Sequence, residues 1–434
     1  MNNFHPITDF VSAITGVATV AALWQHEHTH LPNLRRWQEM KVLGLLRHAY
    51  QAVPYYRKAF DEAGIRTSNL RSIEDLKLCP TLARSDVQMH QEELISSDAV
   101  TTERNSLIPV YTTGSSGTPV RVMLNRREYY QSLSHVLYGF LRAGAGIQDT
   151  FVHIHVPPGK IRHYSFERLG ILQQVHLDLR MGERSTLEEL RRLRSPVLYS
   201  FPSYLQSMAD LILKDNVRSP EVKLIVSNGE QLHEHAREKI QLAFRCPVFN
   251  SYGAAEVFRI AYECRHRRFH MLPDSSIVEI DQSTLAPDGS AEIIVTPLYL
   301  RTMPLIRYRL GDRIILGTEP CPCGSPWTTI ERVCGRIDDQ LTLPSGRRIS
   351  PRAINILENV PGIREYQIIQ RTPSEFQVLV APSAGFGPQS QRQIAQAITD
   401  GCAPDPVNVT IHTTATIPRT PAGKLRAVIS EVHQ

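Results

Sequence analysis

Cysteine is scarce in this sequence: seven residues in 434, an odd number spread thinly along the chain. Such a count argues against a disulfide framework and leaves reduced thiols or a metal site as the use of cysteine. Charge of one sign is also missing. Lys and Arg number 48 against 43 Asp and Glu, for a formal net charge of +5, far from the basic footprint of a nucleic-acid binder but compatible with a small phosphate-bearing ligand. Long apolar runs are missing too. The most apolar N-terminal stretch, Phe10 to Trp24, covers about 15 residues, short of the roughly 20 that span a bilayer. No Lys or Arg precedes it, the first being Arg35, so it lacks the basic flank of a secretory signal and reads as a packed or amphipathic helix. These absences predict a cytoplasmic protein with no membrane and no nucleic-acid partner. Repeats and low-complexity tracts are lacking as well. With 42% hydrophobic and 21% charged residues, little of the chain can be disordered, and its length suits two or three folded domains.

Residues 36 to 100 read as charged, helical scaffold without a site-like cluster. Further on, apolar residues fall at helical spacing from Glu128 to Leu141 and from Tyr204 to Leu213, while Val222–Val226 and Ala291–Val295 are short β-branched runs bounded by turn signals. In Leu232–Phe244 the apolar positions Leu232, Ala236, Ile240 and Phe244 repeat every four residues after a strand and its Ser227-Asn228-Gly229 turn. That is a βα unit, and it predicts parallel sheet. Beyond about residue 340 the pattern changes to a hairpin (Tyr366–Gln370 and Phe376–Val380), a helix (Gln389–Ile398) and a last strand (Val407–Thr413). The expected fold class is therefore α/β, with a large N-terminal domain of β-sheets flanked by helices and a small C-terminal α+β domain.

The most informative segment is Tyr111-Thr112-Thr113-Gly114-Ser115-Ser116-Gly117-Thr118-Pro119, between expected strands Leu107–Val110 and Val120–Met123. Glycine lets the backbone approach a ligand closely, and small hydroxyl side chains add donors without bulk, so such a loop can wrap phosphate oxygens. A flexible hairpin turn is the competing reading. No Lys-Ser/Thr pair follows the second glycine, which excludes a P-loop NTPase.

This segment resembles the phosphate-binding signature of the adenylate-forming superfamily, the acyl-CoA synthetases, luciferases and peptide-synthetase adenylation domains. Five further segments resemble that superfamily's motifs in the right order. Ser227-Asn228-Gly229-Glu230 is similar to the adenine-side turn, and Asn250-Ser251-Tyr252-Gly253-Ala254-Ala255-Glu256 to the Tyr-Gly-x-Thr-Glu motif. Tyr308-Arg309-Leu310-Gly311-Asp312 is similar to the ribose-binding motif, Gly335-Arg336-Ile337-Asp338-Asp339 to the hinge, and Pro418-Arg419-Thr420-Pro421-Ala422-Gly423-Lys424 to the catalytic-lysine motif. Val53-Pro54-Tyr55-Tyr56-Arg57, Pro304-Leu305-Ile306-Arg307-Tyr308 and Cys321-Pro322-Cys323-Gly324 resemble the phenylacetate-CoA ligase branch. Two positions depart from the pattern: Thr118 stands where relatives often carry Lys, and Ala255 where Thr is usual.

The resemblance implies domains at 1–337, binding ATP and the carboxylate, and 338–434, a mobile lid carrying Lys424. It implies ATP-dependent adenylation of a carboxylic acid, aryl or arylacetic, followed by transfer to coenzyme A. The alternatives are transfer to an amine or a carrier protein, and a nucleotide-binding relative with weakened catalysis. Joining a carboxylate to ATP brings an anion to an anionic phosphorus, so the site must supply positive charge where charge accumulates. Lys424 is the candidate for that charge. Glu256 would hold Mg²⁺, and Asp312 would accept from the ribose hydroxyls while Tyr252 offers adenine an aromatic face. Thr112 to Thr118, Gly229, Glu230, Asn250, Ser251, Gly253 and Arg336 complete the expected ATP site, with Asp338 as the hinge. Phe201, Tyr204 and Ser227 are candidates to contact the acid.

Cys264, His270, Cys321 and Cys323 could close a tetrahedral zinc site, with His266 as substitute ligand. Free buried thiols are the other reading. Arg265, Arg267 and Arg268 form either a solvated basic turn or a contact for the phosphate of coenzyme A.

Overall fold

The computed structural model describes residues 6–103, 106–111, 120–156, 167, 169–336, 341–349, 354, 357, 360–420 and 425–432, without the side chains of 6–14, 102, 103, 336 and 348. The N-terminal apolar stretch lies in a helix, Pro6–Glu27, that buries Leu23. Its last residue, Glu27, is buried and accepts from Tyr138 Oη at 2.5 Å and Tyr262 Oη at 3.1 Å. Among the described residues no helix is long and apolar enough to cross a membrane.

Strands β1 (Ile108–Tyr111) and β2 (Arg121–Leu124) form a separate antiparallel pair. The main sheet has eleven strands: β3 (Phe151–His155), β4 (Gln174–Asp178), β5 (Val197–Ser200), β6 (Leu224–Asn228), β7 (Val248–Ala254), β8 (Phe258–Glu263), β9 (Phe269–Met271), β10 (Ser276–Asp281), β11 (Ala291–Pro297), β12 (Tyr308–Leu316) and β13 (Thr329–Arg336). Their order is β10-β11-β12-β13-β9-β8-β7-β6-β5-β3-β4.

From β4 through β7 the neighbours are parallel. Here the expected βα unit is present: β6 leads through the helix Glu234–Phe244 to β7. From β7 to β10 every pairing is antiparallel. Parallel sheet is therefore a description of half the sheet only. Between Ala254 and Arg336 the described chain contains no α-helix, and strands joined by short turns can only return antiparallel.

The helix Arg126–Arg142 packs on this sheet. Asn125 caps it, accepting from Glu128 N at 2.9 Å, while the Glu128 carboxylate accepts from Asn125 N at 3.0 Å. The buried core divides accordingly. One cluster, with Tyr56, Phe60, Ile293 and Tyr308, lies under the antiparallel half, and another, with Leu187, Leu205 and Ile240, under the parallel half.

The C-terminal residues build a separate layer. Short strands β14 (Leu341–Thr342) and β15 (Arg348–Ile349) pair with each other. Strands β16 (Ile363–Thr372), β17 (Glu375–Pro382), β18 (Asn408–Thr413) and β19 (Val428–Ser430) form a four-stranded sheet in the order β18-β17-β16-β19. The expected hairpin is β16–β17, and the helix is Pro388–Cys402. Phe376, Val378, Ile394 and Ile398 give this unit its own core, as the change of pattern near residue 340 predicts. Asp338, the expected hinge, lies outside the described residues.

Candidate active site

The carboxyl ends of parallel strands are where an α/β sheet leaves backbone groups and loop side chains free to meet a ligand. A cavity of about 650 Å³ opens there, at the ends of β6 and β7. Its far wall is β12 and β13, and its roof is β16 with residues 420 and 425–428. Gly229, Glu230, Asn250, Ser251, Tyr252, Gly253, Glu256 and Asp312 all line it. Residues from three separate segments thus meet at one cavity.

Local backbone chemistry explains several of these positions. Gly229 has a φ of +74°, a left-handed turn conformation that glycine adopts without strain. At Gly253 an added Cβ would stand 1.9 Å from the Phe258 carbonyl oxygen, so only glycine allows β7 to pass β8 this closely. Asn250 N donates to Glu263 at 2.6 Å. Glu263 is itself gripped by Arg237 through two bonds of 2.9 and 2.7 Å, a buried pair that fixes the start of the Asn250–Glu256 segment from behind. Burial pushes the Glu263 carboxyl above its usual range while Arg237 holds it down.

Tyr252 Oη donates to Asp312 Oδ2 at 2.7 Å, tying β7 to β12 across the cavity wall. Asp312 also sits opposite Arg336 in the β12–β13 register. Two of the expected nucleotide residues are therefore in direct contact, and the backbone of a third is beside them. Glu256 is buried, and its Oε1 accepts from Arg84 Nη1 at 3.2 Å and from Tyr308 Oη at 3.2 Å. Among the described residues its other oxygen has no hydrogen-bond partner, which leaves one carboxylate oxygen for a hard cation.

Arg84 was not expected here. It comes from residues 36–100, which the sequence presents as scaffold, yet it lines the cavity beside Glu256. This cation beside Glu256 has no local sequence signal.

Phe201 and Tyr204 do not line the cavity. Both are buried in the core under the parallel strands, with Leu205 and Met208, and Tyr204 Oη is 2.8 Å from Thr186 Oγ1. The helix Pro202–Lys214 turns positions 201, 204, 205 and 208 inward and presents Ser203, Gln206 and Ser207 to the cavity instead. Ser227 is likewise fully buried, its Oγ 3.1 Å from Asn250 Oδ1, so it supports the strand end and does not face an acid. Glu230 has taken another role as well: its carboxylate accepts from Ser203 N at 3.0 Å, Ser203 Oγ at 3.1 Å and Leu425 N at 2.8 Å. Burial raises its pKa against the effect of those three donors.

Thr112, Thr113, Gly114, Ser115, Ser116, Gly117, Thr118 and Lys424 lie outside the described residues, as do the side chains of Arg336 and Asp338. Arg267 lines the cavity and pairs with Glu234, whereas Arg268 Nη1 donates to the Glu319 carbonyl at 2.8 Å.

Behind the cavity, Cys264, His270, Cys321 and Cys323 bring one ligand atom each to within 4.8 Å of one another. Cys264 Sγ lies 3.6 Å from Cys321 Sγ, and Cys323 Sγ 3.3 Å from His270 Nε2. Three thiols and an imidazole at this spacing fit a tetrahedral zinc. The four residues come from the end of β8, from β9 and from the β12–β13 connection, so they meet behind the strand that carries Glu331 to Gly335 into the cavity. His266 is beside the cluster, its N donating to Cys264 Sγ at 3.4 Å.

A mixed sheet with a cavity at its parallel-to-antiparallel junction, roofed by a C-terminal α+β unit, is the architecture of the adenylate-forming ligases. The fold matches 2-hydroxyisobutyryl-CoA ligase in the postadenylation state in complex with R3-HIB-AMP, with a TM-score of 0.75, 18% identity and coverage of 94% of this chain and 92% of that one. The same enzyme in complex with 2-HIB-AMP and CoA in the thioesterification state matches with a TM-score of 0.62 and 19% identity, covering 94% and 91%. Residues 341–431 match the CapK C-terminal domain. Over 448 aligned residues the chain is 27% identical to the phenylacetate-coenzyme A ligase of Thermus thermophilus, covering 94% of this chain and 99% of that protein. Along nearly its whole length the chain is thus similar in sequence to a phenylacetate-coenzyme A ligase and in fold to acyl-CoA ligases.

Proposed function

We propose that this protein is an AMP-forming acid–thiol ligase acting on an aryl or arylacetic acid. The observation that carries the reading is the convergence of Tyr252, Asp312, Glu256 and the turn at Gly229 on one cavity of about 650 Å³, a volume in the range of small-ligand sites. The substrate carboxylate oxygen attacks the α-phosphorus of ATP, the bond to the β-phosphate oxygen breaks, and pyrophosphate leaves. The coenzyme A thiolate then attacks the acyl carbonyl, and AMP leaves with the bonding pair of the carboxyl oxygen.

Within that scheme Asp312 receives the ribose hydroxyls, held in place by the Tyr252 phenol. Glu256 and Arg84 face the phosphates as a fixed pair of opposite charges, and Glu256 holds Mg²⁺, which supplies further positive charge to the phosphate oxygens when bound. The Thr112–Thr118 loop wraps the β- and γ-phosphates. Lys424, with the units 1–337 and 338–434 meeting at Asp338, brings a cation to the carboxylate and the α-phosphate. Seven thiols without a disulfide suit a reducing, cytoplasmic setting.

The discriminating experiment measures pyrophosphate release over a panel of carboxylic acids, with and without coenzyme A and with amino acids as amines. Turnover with phenylacetate or another aryl acid that requires coenzyme A is expected. Turnover that requires an amine instead identifies an amide-forming enzyme, and ATP binding with no turnover identifies a weakened relative.

Zinc is the second metal proposed, at Cys264, His270, Cys321 and Cys323. It would clamp the β8–β9 hairpin to the β12–β13 connection, and so stiffen the far wall of the cavity. Elemental analysis of protein purified without chelator is expected to find about one zinc per chain, and Cys321→Ser to lower both zinc content and melting temperature. Protein without zinc, and a Cys321→Ser variant melting like wild type, would reduce the cluster to a set of thiols.

A further inference from the structure

The C-terminal unit meets the main sheet through a small polar clasp. Glu230, on the turn after β6, accepts from the Leu425 backbone N–H at 2.8 Å and from both donors of Ser203 at the start of the helix Pro202–Lys214. From the other side, Arg419 Nη1 donates to Ser203 Oγ at 3.1 Å, and its Nη2 pairs with Glu365 on β16. Ser207 Oγ donates to the same Glu365 at 3.4 Å. Arg419 and Leu425 also form an isolated antiparallel bridge with each other. They therefore close the base of the 420–424 stretch, and both ends of that base are tied to Ser203 and Glu230.

We propose that Glu230 and Arg419 are positioning residues for the first half-reaction: they anchor the base of the Lys424-bearing stretch to the helix Pro202–Lys214 and do not bind nucleotide. The inference rests on the reading of Lys424 given above. Lys424 immediately precedes Leu425, and consecutive Cα atoms are about 3.8 Å apart, so an anchored Leu425 amide confines where Lys424 can start. A charged carboxylate accepting three hydrogen bonds is a strong anchor. Confinement of this kind acts on the rate of the step that uses the lysine, because misplacement of a reacting group by about 1 Å can cost a hundredfold. The bonds from Leu425 to Glu230, from Arg419 to Ser203 and from Ser207 to Glu365 each join the two units, so they hold only while the units are docked in this way. The second half-reaction, if it uses a different docking, does not need them.

The test uses the full chain with the acid that turns over best in the panel above. Two rates are read: acid-dependent exchange of labelled pyrophosphate into ATP, and conversion of the supplied acyl-adenylate to thioester. Glu230→Ala and Arg419→Ala are each expected to lower the exchange kcat at least tenfold, with KM for ATP changed less than twofold and the thioester rate within twofold of wild type. Combining them should cost no more than the poorer single variant, since both release one base. Glu230→Gln, which keeps an oxygen for the Leu425 amide, should retain most of the exchange. A raised KM for ATP with unchanged kcat would make Glu230 a nucleotide ligand and overturn the proposal. Equal loss of both rates with a lowered melting temperature would make the clasp a prop for the fold. Should Glu230→Ala fail to fold, Arg419→Ala decides alone, its side chain being partly exposed. Lys424→Ala in parallel separates the two ideas: if it abolishes exchange and the clasp variants do not, the clasp proposal falls, whereas intact exchange in Lys424→Ala removes the reading of the lysine and the clasp with it.

Discussion

Asp312→Ala is expected to weaken ATP binding by well over tenfold while leaving the fold intact. The carboxylate stands in the middle of β12, opposite Arg336 on β13, and takes the Tyr252 phenol at 2.7 Å. That bond fixes the carboxylate without using all of its acceptor capacity, since an ionised carboxylate has about four lone-pair sites. Two ribose hydroxyls donating to a charged acceptor amount to a charge-assisted pair, whose loss costs about 2–5 kcal/mol. Tyr252→Phe removes the phenol and keeps the carboxylate, so its effect on affinity should be smaller than that of Asp312→Ala. Titration calorimetry with ATP reads both, and circular dichroism checks the fold. An unchanged affinity in Asp312→Ala would remove this residue from the site.

Lys424→Ala should separate the two half-reactions. Adenylation needs a cation where the carboxylate approaches the α-phosphate, and Lys424 is the candidate for that charge. The thioester step starts from an acyl group already activated by AMP, so the lysine is dispensable there. Acyl-adenylate formation is expected to fall at least a hundredfold, about 2.7 kcal/mol of transition-state stabilisation. A supplied acyl-adenylate should still become thioester at a near wild-type rate. Asp338→Pro, which stiffens the proposed hinge, should show the opposite bias. Rapid-quench measurement of the two steps checks this, and equal slowing of both by Lys424→Ala would contradict the division of labour.

Local patterns made part of this molecule legible before its structure. The four-residue spacing of Leu232, Ala236, Ile240 and Phe244 announced a helix after a strand, and β6, the helix and β7 follow from it. The C-terminal hairpin was equally readable, because β16 and β17 are adjacent in sequence and pair with each other. The antiparallel half of the sheet was not, since β13 pairs with β9 across some 60 residues and no short window of sequence encodes such a partner. The same distance hid Arg84, which meets Glu256 from 172 residues away. Phe201 and Tyr204 lie in the core for another reason. Aromatic residues at a strand end suit either a pocket or a core, and the spacing 201, 204, 205, 208 already favoured the buried face of a helix. Gly229, Tyr252, Glu256 and Asp312 each sit at a strand end or within a strand, and the sheet brings them to one cavity. What Glu230 does with its carboxylate was beyond the motif, which carries no information about Ser203 or Leu425.

The central claim is that this protein activates a carboxylic acid by joining it to AMP, and exchange of labelled pyrophosphate into ATP tests it most directly. The reaction is run with an aryl acid such as phenylacetate and with coenzyme A left out, so that only the first half-reaction can turn over. Label is expected to enter ATP when the acid is present and not when it is omitted, and Asp312→Ala and Lys424→Ala should each suppress the exchange. If no acid in the panel supports exchange while the protein still binds ATP, or if ATP is instead cleaved to ADP and phosphate, the account of this cavity as an adenylating site is wrong.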